Sequence, residues 1–224
     1  MARRYHTAMP LSHPQMLSLV SLLRSTDPDA LEQGKELMAV LSRDDVRETM
    51  AAVGNLSGCH LSGMLLAGLS FRGHNLNGCD LSGSDLACSD FFRAHLRRAN
   101  LSGCDLTGAN LRQSDLRQTN LRHVDLSETP LTGARLHRAD LTGVDLTGAD
   151  LVGLSALGVN LTTACLIRAD LSDADLRPSV LQSTSFHQAR MSGADLEWVL
   201  VHAYTGEVLS PAGQPAGSEE RGAR

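Results

Sequence analysis

From Leu56 to Val201 a large apolar residue returns at every fifth position, without one insertion. Thirty positions obey this spacing, and all but Ala156 carry Leu, Phe, Met or Val. In a chain that is 42% hydrophobic, chance would fill roughly 13 of them. A continuous helix cannot bury such a pattern. At about 100° per residue, a five-residue step turns the chain about 500°, so successive leucines drift around the axis by about 140°. A flat strand fails as well, because odd spacings alternate between its two faces. The backbone must therefore bend once per repeat, so that each short extended segment points its leucine at a common axis.

The other positions agree. Two residues before each leucine the chain holds small side chains, as in Ala99, Cys104, Ala109, Ser114, Thr119 and Val124. One residue before it stands mostly Asp or Asn, and the two following residues are Ser, Thr, Arg, Gln or Gly. Two positions in five face inward, one large and one small. The frequent Gly two residues after the leucine suits a corner with positive φ.

The units ADLTG, ANLRQ, ADLSD and ADLEW resemble the pentapeptide repeat family. The resemblance spans about 145 residues. It implies an all-β solenoid, a right-handed quadrilateral β-helix with four repeats per coil. Coils stacked at about 4.8 Å give some seven and a half turns, a rod of roughly 35 Å.

Residues 1–53 do not repeat and read as a small α-helical N-terminal cap or module. Met16, Leu17, Leu19, Val20, Leu22 and Leu23 mark a helix over Pro14–Arg24. Asp27 before Pro28 is an N-cap signal for a second, which would bury Leu31, Leu37, Val40 and Leu41. Ser42 with Asp45 opens a third, to about Ala52. A solenoid end exposes unpaired backbone and apolar core, so a helical cap is expected there; a partner-binding module is the alternative. The β-helix and its C-terminal cap occupy 54–204. Trp198, Val199, Leu200, Val201 and Tyr204 either cover the last coil or join two copies in a homodimer, as the C-terminal segment does in topoisomerase-directed relatives. Residues 205–224 have the composition of a disordered tail.

No hydrolase, zinc, P-loop or dinucleotide motif occurs in a suitable context, so no catalytic, metal or cofactor residue is assigned. The many Asp residues come from the repeat and are read as backbone caps. With 25 acidic against 20 basic residues and 3% aromatics, direct nucleic-acid binding is not expected. Five cysteines without a CxxC pair suit a reducing cytoplasm. Cys59 and Cys79 stack on adjacent coils, within disulfide reach, and are read as small, reduced core residues. The basic start of the chain lacks a signal-peptide cleavage site, and no run of about 18 apolar residues marks a membrane span.

The 20-residue coil sorts the outward residues onto four sides. One side, over the windows 95–98, 115–118, 135–138 and 175–178, collects Arg97, Arg98, Arg117, Arg135, Arg138 and Arg177 with His95 and His137, opposed there only by Asp115 and Asp175. On the opposite side the windows 85–88, 105–108, 125–128 and 145–148 stack Asp85, Asp105, Asp125 and Asp145 in one column, add Glu128, and have no Arg. Some members of the family mimic DNA, bind type II topoisomerases such as gyrase or topoisomerase IV, and protect them from drugs. The resemblance therefore implies a non-catalytic binding protein of that kind; a scaffold for another protein is the alternative. The basic side is awkward for mimicry by the whole rod.

Overall fold

The computed structural model describes residues 11–41, 43–127, 129–197, 199–200, 204–205 and 208–209. Three helices come first: α1 (His13–Leu23), α2 (Pro28–Val40) and α3 (Arg43–Val53). The Ser12 backbone N–H donates to Gln15 Oε1 at 2.8 Å at the start of α1. Asp27 Oδ1 accepts from Asp29 N–H at 3.2 Å, which caps α2 just ahead of Pro28. Ser42, the expected cap of α3, lies outside the described residues.

Leu19, Val20 and Leu23 of α1 are buried, whereas Leu17 is exposed. The inward face of α2 differs from the one expected. A Cβ at Gly34 would meet Leu22 Cβ at 2.9 Å, so the two helices approach closely there. That contact turns Gly34 and Met38 inward, one helical turn apart, and leaves Leu37 exposed. Leu31 and Leu41 are half-buried; the Val40 side chain lies outside the described ones.

From Asn55 onward the backbone pairs in parallel with itself 20 residues later. Asn55–Asn75, His60–Asp80, Leu65–Asp85 and Ser70–Asp90 open four ladders, and the same step continues to Val180–Leu200. Each ladder is one side of a four-sided solenoid. The sides are numbered here from the repeats of Leu56, Leu61, Leu66 and Phe71. Past Leu181 the sides lengthen into short strands. β1 (Thr184–Ser185) pairs with β3 (Tyr204–Thr205), and β2 (Ala189–Arg190) pairs with β4 (Val208–Leu209). Pairing thus runs past Tyr204, and the second pair closes with 19 residues instead of 20.

The corners are tight turns: at most of them the N–H three residues after the axial residue donates back to it, as in Cys59 N–H to Leu56 O at 3.1 Å, while Met64 N–H turns to Ser84 Oγ at 3.1 Å. The third turn residue has positive φ, the type II signature. Glycine fills many of these positions. Arg93, Arg98, Gln113, Gln118 and His123 adopt the same φ of 58–61°, which costs a non-glycine residue about 1–2 kcal/mol. Repeated backbone pairing on both flanks holds them there. Every Asp and Asn just before a leucine caps its own corner by accepting the N–H two residues on; Asn55, Asp105 and Asp195 do so at 3.2, 2.9 and 3.1 Å. Pro178 breaks the pattern. It cannot adopt positive φ, no hydrogen bond from Ser179 N–H to Leu176 O forms, and Ser179 Oγ is buried without a partner.

From Leu56 to Leu181 every axial residue is at most 3% exposed. Phe71 and Phe91 stack with centroids 5.0 Å apart and planes 13° from parallel. The small inward residues add hydrogen bonds where they can. Ser84, Thr119 and Thr184 donate to Leu61 O, Leu96 O and Leu161 O at 2.7, 2.8 and 2.7 Å. This explains why Ser, Thr and Cys share the position with Ala.

Candidate functional site

The third side carries the acidic column. Asp85, Asp105, Asp125 and Asp145 bond their own corners through Oδ1, to the N–H of Ala87, Thr107, Ser127 and Thr147 at 2.8–3.1 Å. Oδ2 is left for solvent or a partner. The two Thr107 bonds, backbone first and then side chain, hold the Asp105 carboxyl below the usual carboxylate range. Among the described residues no Arg or Lys forms an ion pair with any of these four. Asp85–Asp105 and Asp125–Asp145 are bridged in the ladder, but Asp105–Asp125 is not. A cleft of about 290 Å³ lined by Thr107, Gly108, Asp125 and Ser127 opens at that step. Glu128 lies outside the described residues. Pairing at the same level is weakened on the fourth side: Pro130 has no N–H to donate and forms no bridge with Asn110 or Asp150, although its C=O still accepts from Leu111 N–H at 3.2 Å.

The first side is less basic than its composition suggests. Arg117 grips Asp115 through Nε at 2.6 Å and through a second bond from Nη2 to Oδ2. Burial would raise the Asp115 carboxyl, but those bonds and the Arg117 charge outweigh it and hold it low. Arg177 makes two 2.9 Å bonds to Asp175 and reaches Asp195 on the next coil at 2.9 Å. Arg98 Nε donates to Gln118 Oε1 at 2.9 Å. His137 lies 2.7 Å from Ser155 Oγ; burial, then Arg135 and Arg117, lower its pKa. A shallow depression of about 290 Å³ is lined by Arg97, Arg117, Gln118, His137, Arg138 and Leu157. Two of the six arginines are thus committed to internal carboxylates, while the opposing acidic column is uncompensated.

At the C-terminal end Val199 is half-buried against the core and Leu200 is 57% exposed. Tyr204 pairs its backbone with Thr184. Trp198 and Val201 lie outside the described residues. At the other end the sequence reading passed over Arg24. Its Nη2 and Nε donate to Asn55 O and Ser57 O at 2.6 and 2.9 Å, while Leu23 O accepts from His60 N–H at 2.7 Å. One coil higher, backbone N–H and C=O groups fill these roles. No sequence period marks Arg24, since one residue supplies what a whole coil would.

All five cysteines are free. Cys79 and Cys104 donate their S–H to Leu56 O and Leu81 O at 2.6 and 2.9 Å. Burial, above all, pushes the Cys79 thiol up to about 12 and Cys104 up to about 11, and raises Cys59 as well. At pH 8 the Cys104 thiolate is then only about a thousandth of the population. Ellman's reagent at pH 8 should titrate exposed Cys88 quickly and leave Cys59, Cys79 and Cys104 silent until the chain is denatured. Native Cys79 reacting as fast as Cys88 would refute this assignment.

Among the described residues no group of three or more His, Cys, Asp or Glu is placed to hold a metal. Among the described residues no helix is long and apolar enough to cross a membrane.

A parallel solenoid with four five-residue sides per coil and Asx-capped corners defines a class, and sequence comparison places the chain within it. Pentapeptide repeats match residues 54–83 and, in overlapping segments, 89–197. The chain belongs to the pentapeptide repeat family, whose repeats wind into a right-handed quadrilateral β-helix. Among solved structures it is similar to HetL, a pentapeptide repeat protein involved in heterocyst differentiation regulation from the cyanobacterium Nostoc sp. strain PCC 7120. The identity is 28% over 72% of this chain and 84% of HetL, with a TM-score of 0.37. Trypsin-treated QnrB1, a plasmid-mediated fluoroquinolone resistance protein, is 20% identical over 66% of this chain and 89% of its own, with a TM-score of 0.44. Rfr23 from the cyanobacterium Cyanothece 51142 is 16% identical over 74% of this chain and 100% of its own, with a TM-score of 0.27. No curated protein matches the chain in sequence.

Proposed function

We propose that the chain is a non-catalytic protein-binding β-helix whose third side occupies a basic groove built for nucleic acid, and that the groove belongs to a type II topoisomerase, gyrase or topoisomerase IV. Binding there would shield the enzyme from a poison that traps it on DNA. The observation that carries this reading is the column Asp85, Asp105, Asp125 and Asp145, whose carboxylates lack ion-pair partners among the described residues. Its charges repeat about every 4.8 Å, close to the roughly 3.4 Å between phosphates of one DNA strand. The helices of residues 1–53 serve as the N-terminal cap, the C-terminal end offers a homodimer contact, and the free thiols suit the cytoplasm.

The depression at Arg97 and Arg138 favours a second reading, a scaffold for an acidic partner. Supercoiling by purified gyrase, with and without a trapping drug, separates the two when combined with direct binding. In the first reading Asp105→Arg with Asp125→Arg weakens binding at least about tenfold, while Arg138→Glu leaves it within about twofold. Arg138 is the better control than Arg117, whose loss would strand the buried Asp115. No binding, inhibition or rescue at micromolar protein would end the topoisomerase reading. The opposite mutational pattern would give the contact to the first side.

A further inference from the structure

The cap described above is incomplete. Leu23 and Arg24 satisfy the first coil only on its first two sides. On the third side Leu65 has no hydrogen bond to its N–H or C=O among the described residues. One coil higher, Asp85 at the same repeat position uses both groups, with N–H to Met64 O at 3.0 Å and C=O from Leu66 N–H at 2.8 Å. Leu65 thus presents a sheet edge with no coil beneath it.

That edge lies in a groove of about 870 Å³ between α2, α3 and the first coil. The helical wall is Met38, Leu41 and Val46; the solenoid wall is Met64, Leu65 and Leu69. Among the described residues Glu32, Glu36 and Asp85 also line it, against a single cation, Lys35. Leu65 is 81% exposed at a repeat position where the next four coils all carry Asp. An open edge and a misplaced apolar side chain thus meet in one acidic-lined groove.

We infer that this groove docks an extended segment of a partner protein, apolar at alternate residues and basic between them, which adds as a strand beneath Leu65. The edge groups would fix its backbone, the apolar walls would take every second side chain, and the carboxylates would select the basic ones. A second copy of this chain fits less well, because the same carboxylates would meet across a symmetric contact. The groove does not depend on the acidic column binding anything.

The probe is a fluorescein-labelled octapeptide of alternating valine and lysine, compared by anisotropy with the same peptide N-methylated at its central residues. The full-length protein should bind the unmodified peptide at least about tenfold more tightly, since only that peptide can pair as a strand. Leu65→Pro removes the edge N–H at a repeat position that already accepts proline in Pro130, and should erase the preference. Glu32→Lys with Glu36→Lys, on exposed positions of α2, should weaken binding about tenfold without touching the solenoid. Asp105→Arg with Asp125→Arg should leave it unchanged. Equal binding of both peptides, or no binding, overturns the proposal, as does binding indifferent to both Leu65→Pro and the Glu32/Glu36 pair. A concentration-dependent dimer abolished by Leu65→Pro would overturn it too, and give the edge to a second copy.

Discussion

Replacing Leu116 with aspartate unfolds the solenoid. Leu116 is fully buried on the axis, in the column between Leu96 and Leu136, which are also buried. A carboxylate there has no cationic partner, because the first-side arginines occupy outward positions. Burying an unpaired charge, or protonating it to avoid that, costs several kcal/mol, comparable to the stability of a whole domain. In a solenoid the damage spreads, since each coil is stabilised chiefly by the coils above and below it. We expect Leu116→Asp to lose its cooperative thermal transition and to be cut within the repeats by limited proteolysis. A soluble variant that keeps the wild-type circular dichroism spectrum and melting curve would contradict the axial register.

Phe91→Ala gives the second large effect. Phe91 is 0% exposed and stacks on Phe71, and Leu111 follows it in the next coil of the same column. Truncation removes the stack and leaves a cavity that the coils above and below cannot collapse, since backbone pairing fixes their spacing. The cost is about 3–5 kcal/mol, a fall in melting temperature of about 10 °C for a chain of this size. Phe91→Leu restores the residue used in the following coil and should recover most of that loss. Differential scanning calorimetry on both variants decides the matter; an alanine variant melting within about 2 °C of wild type would mean the stack contributes little.

The coil was legible in the sequence because it is periodic. Residues five apart obey one rule, so Leu101 could be set beneath Leu121, and Asp105 and Asp115 assigned to opposite sides, before any coordinates. Non-repeating features were harder to read. Arg24 closes the first coil from outside the repeat, so no spacing points to it. The pairing of Arg117 with Asp115 and of Arg177 with Asp175 depends on rotamers across a single corner. Composition counted those arginines as a basic face, whereas geometry spends two of them on internal carboxylates. Leu37 was expected inside from helical spacing alone, but the close approach at Gly34 chose the neighbouring face. Leu65 was visible all along as a leucine in a column of aspartates. Its meaning needed the groove beside it.

The lapse at Pro130 has a mechanical side. A rod laced on all four sides resists bending equally in every direction. At the level between Asp105 and Asp125 the lacing is missing on the third side and weakened on the adjoining fourth, while the first and second sides stay bridged through His95–Asp115, Asp115–Arg135 and Asn100–Asn120. The two halves of the rod are therefore held fully along one pair of sides, by two backbone bonds along the fourth, from Leu111 N–H to Pro130 O and from Gln113 N–H to Thr132 O, and by none among the described residues along the third. Flexing at this level opens or closes the gap between two carboxylates of the acidic column. The spacing of those charges is thereby adjustable at one point, and a partner with a curved basic surface could be matched by bending the rod there.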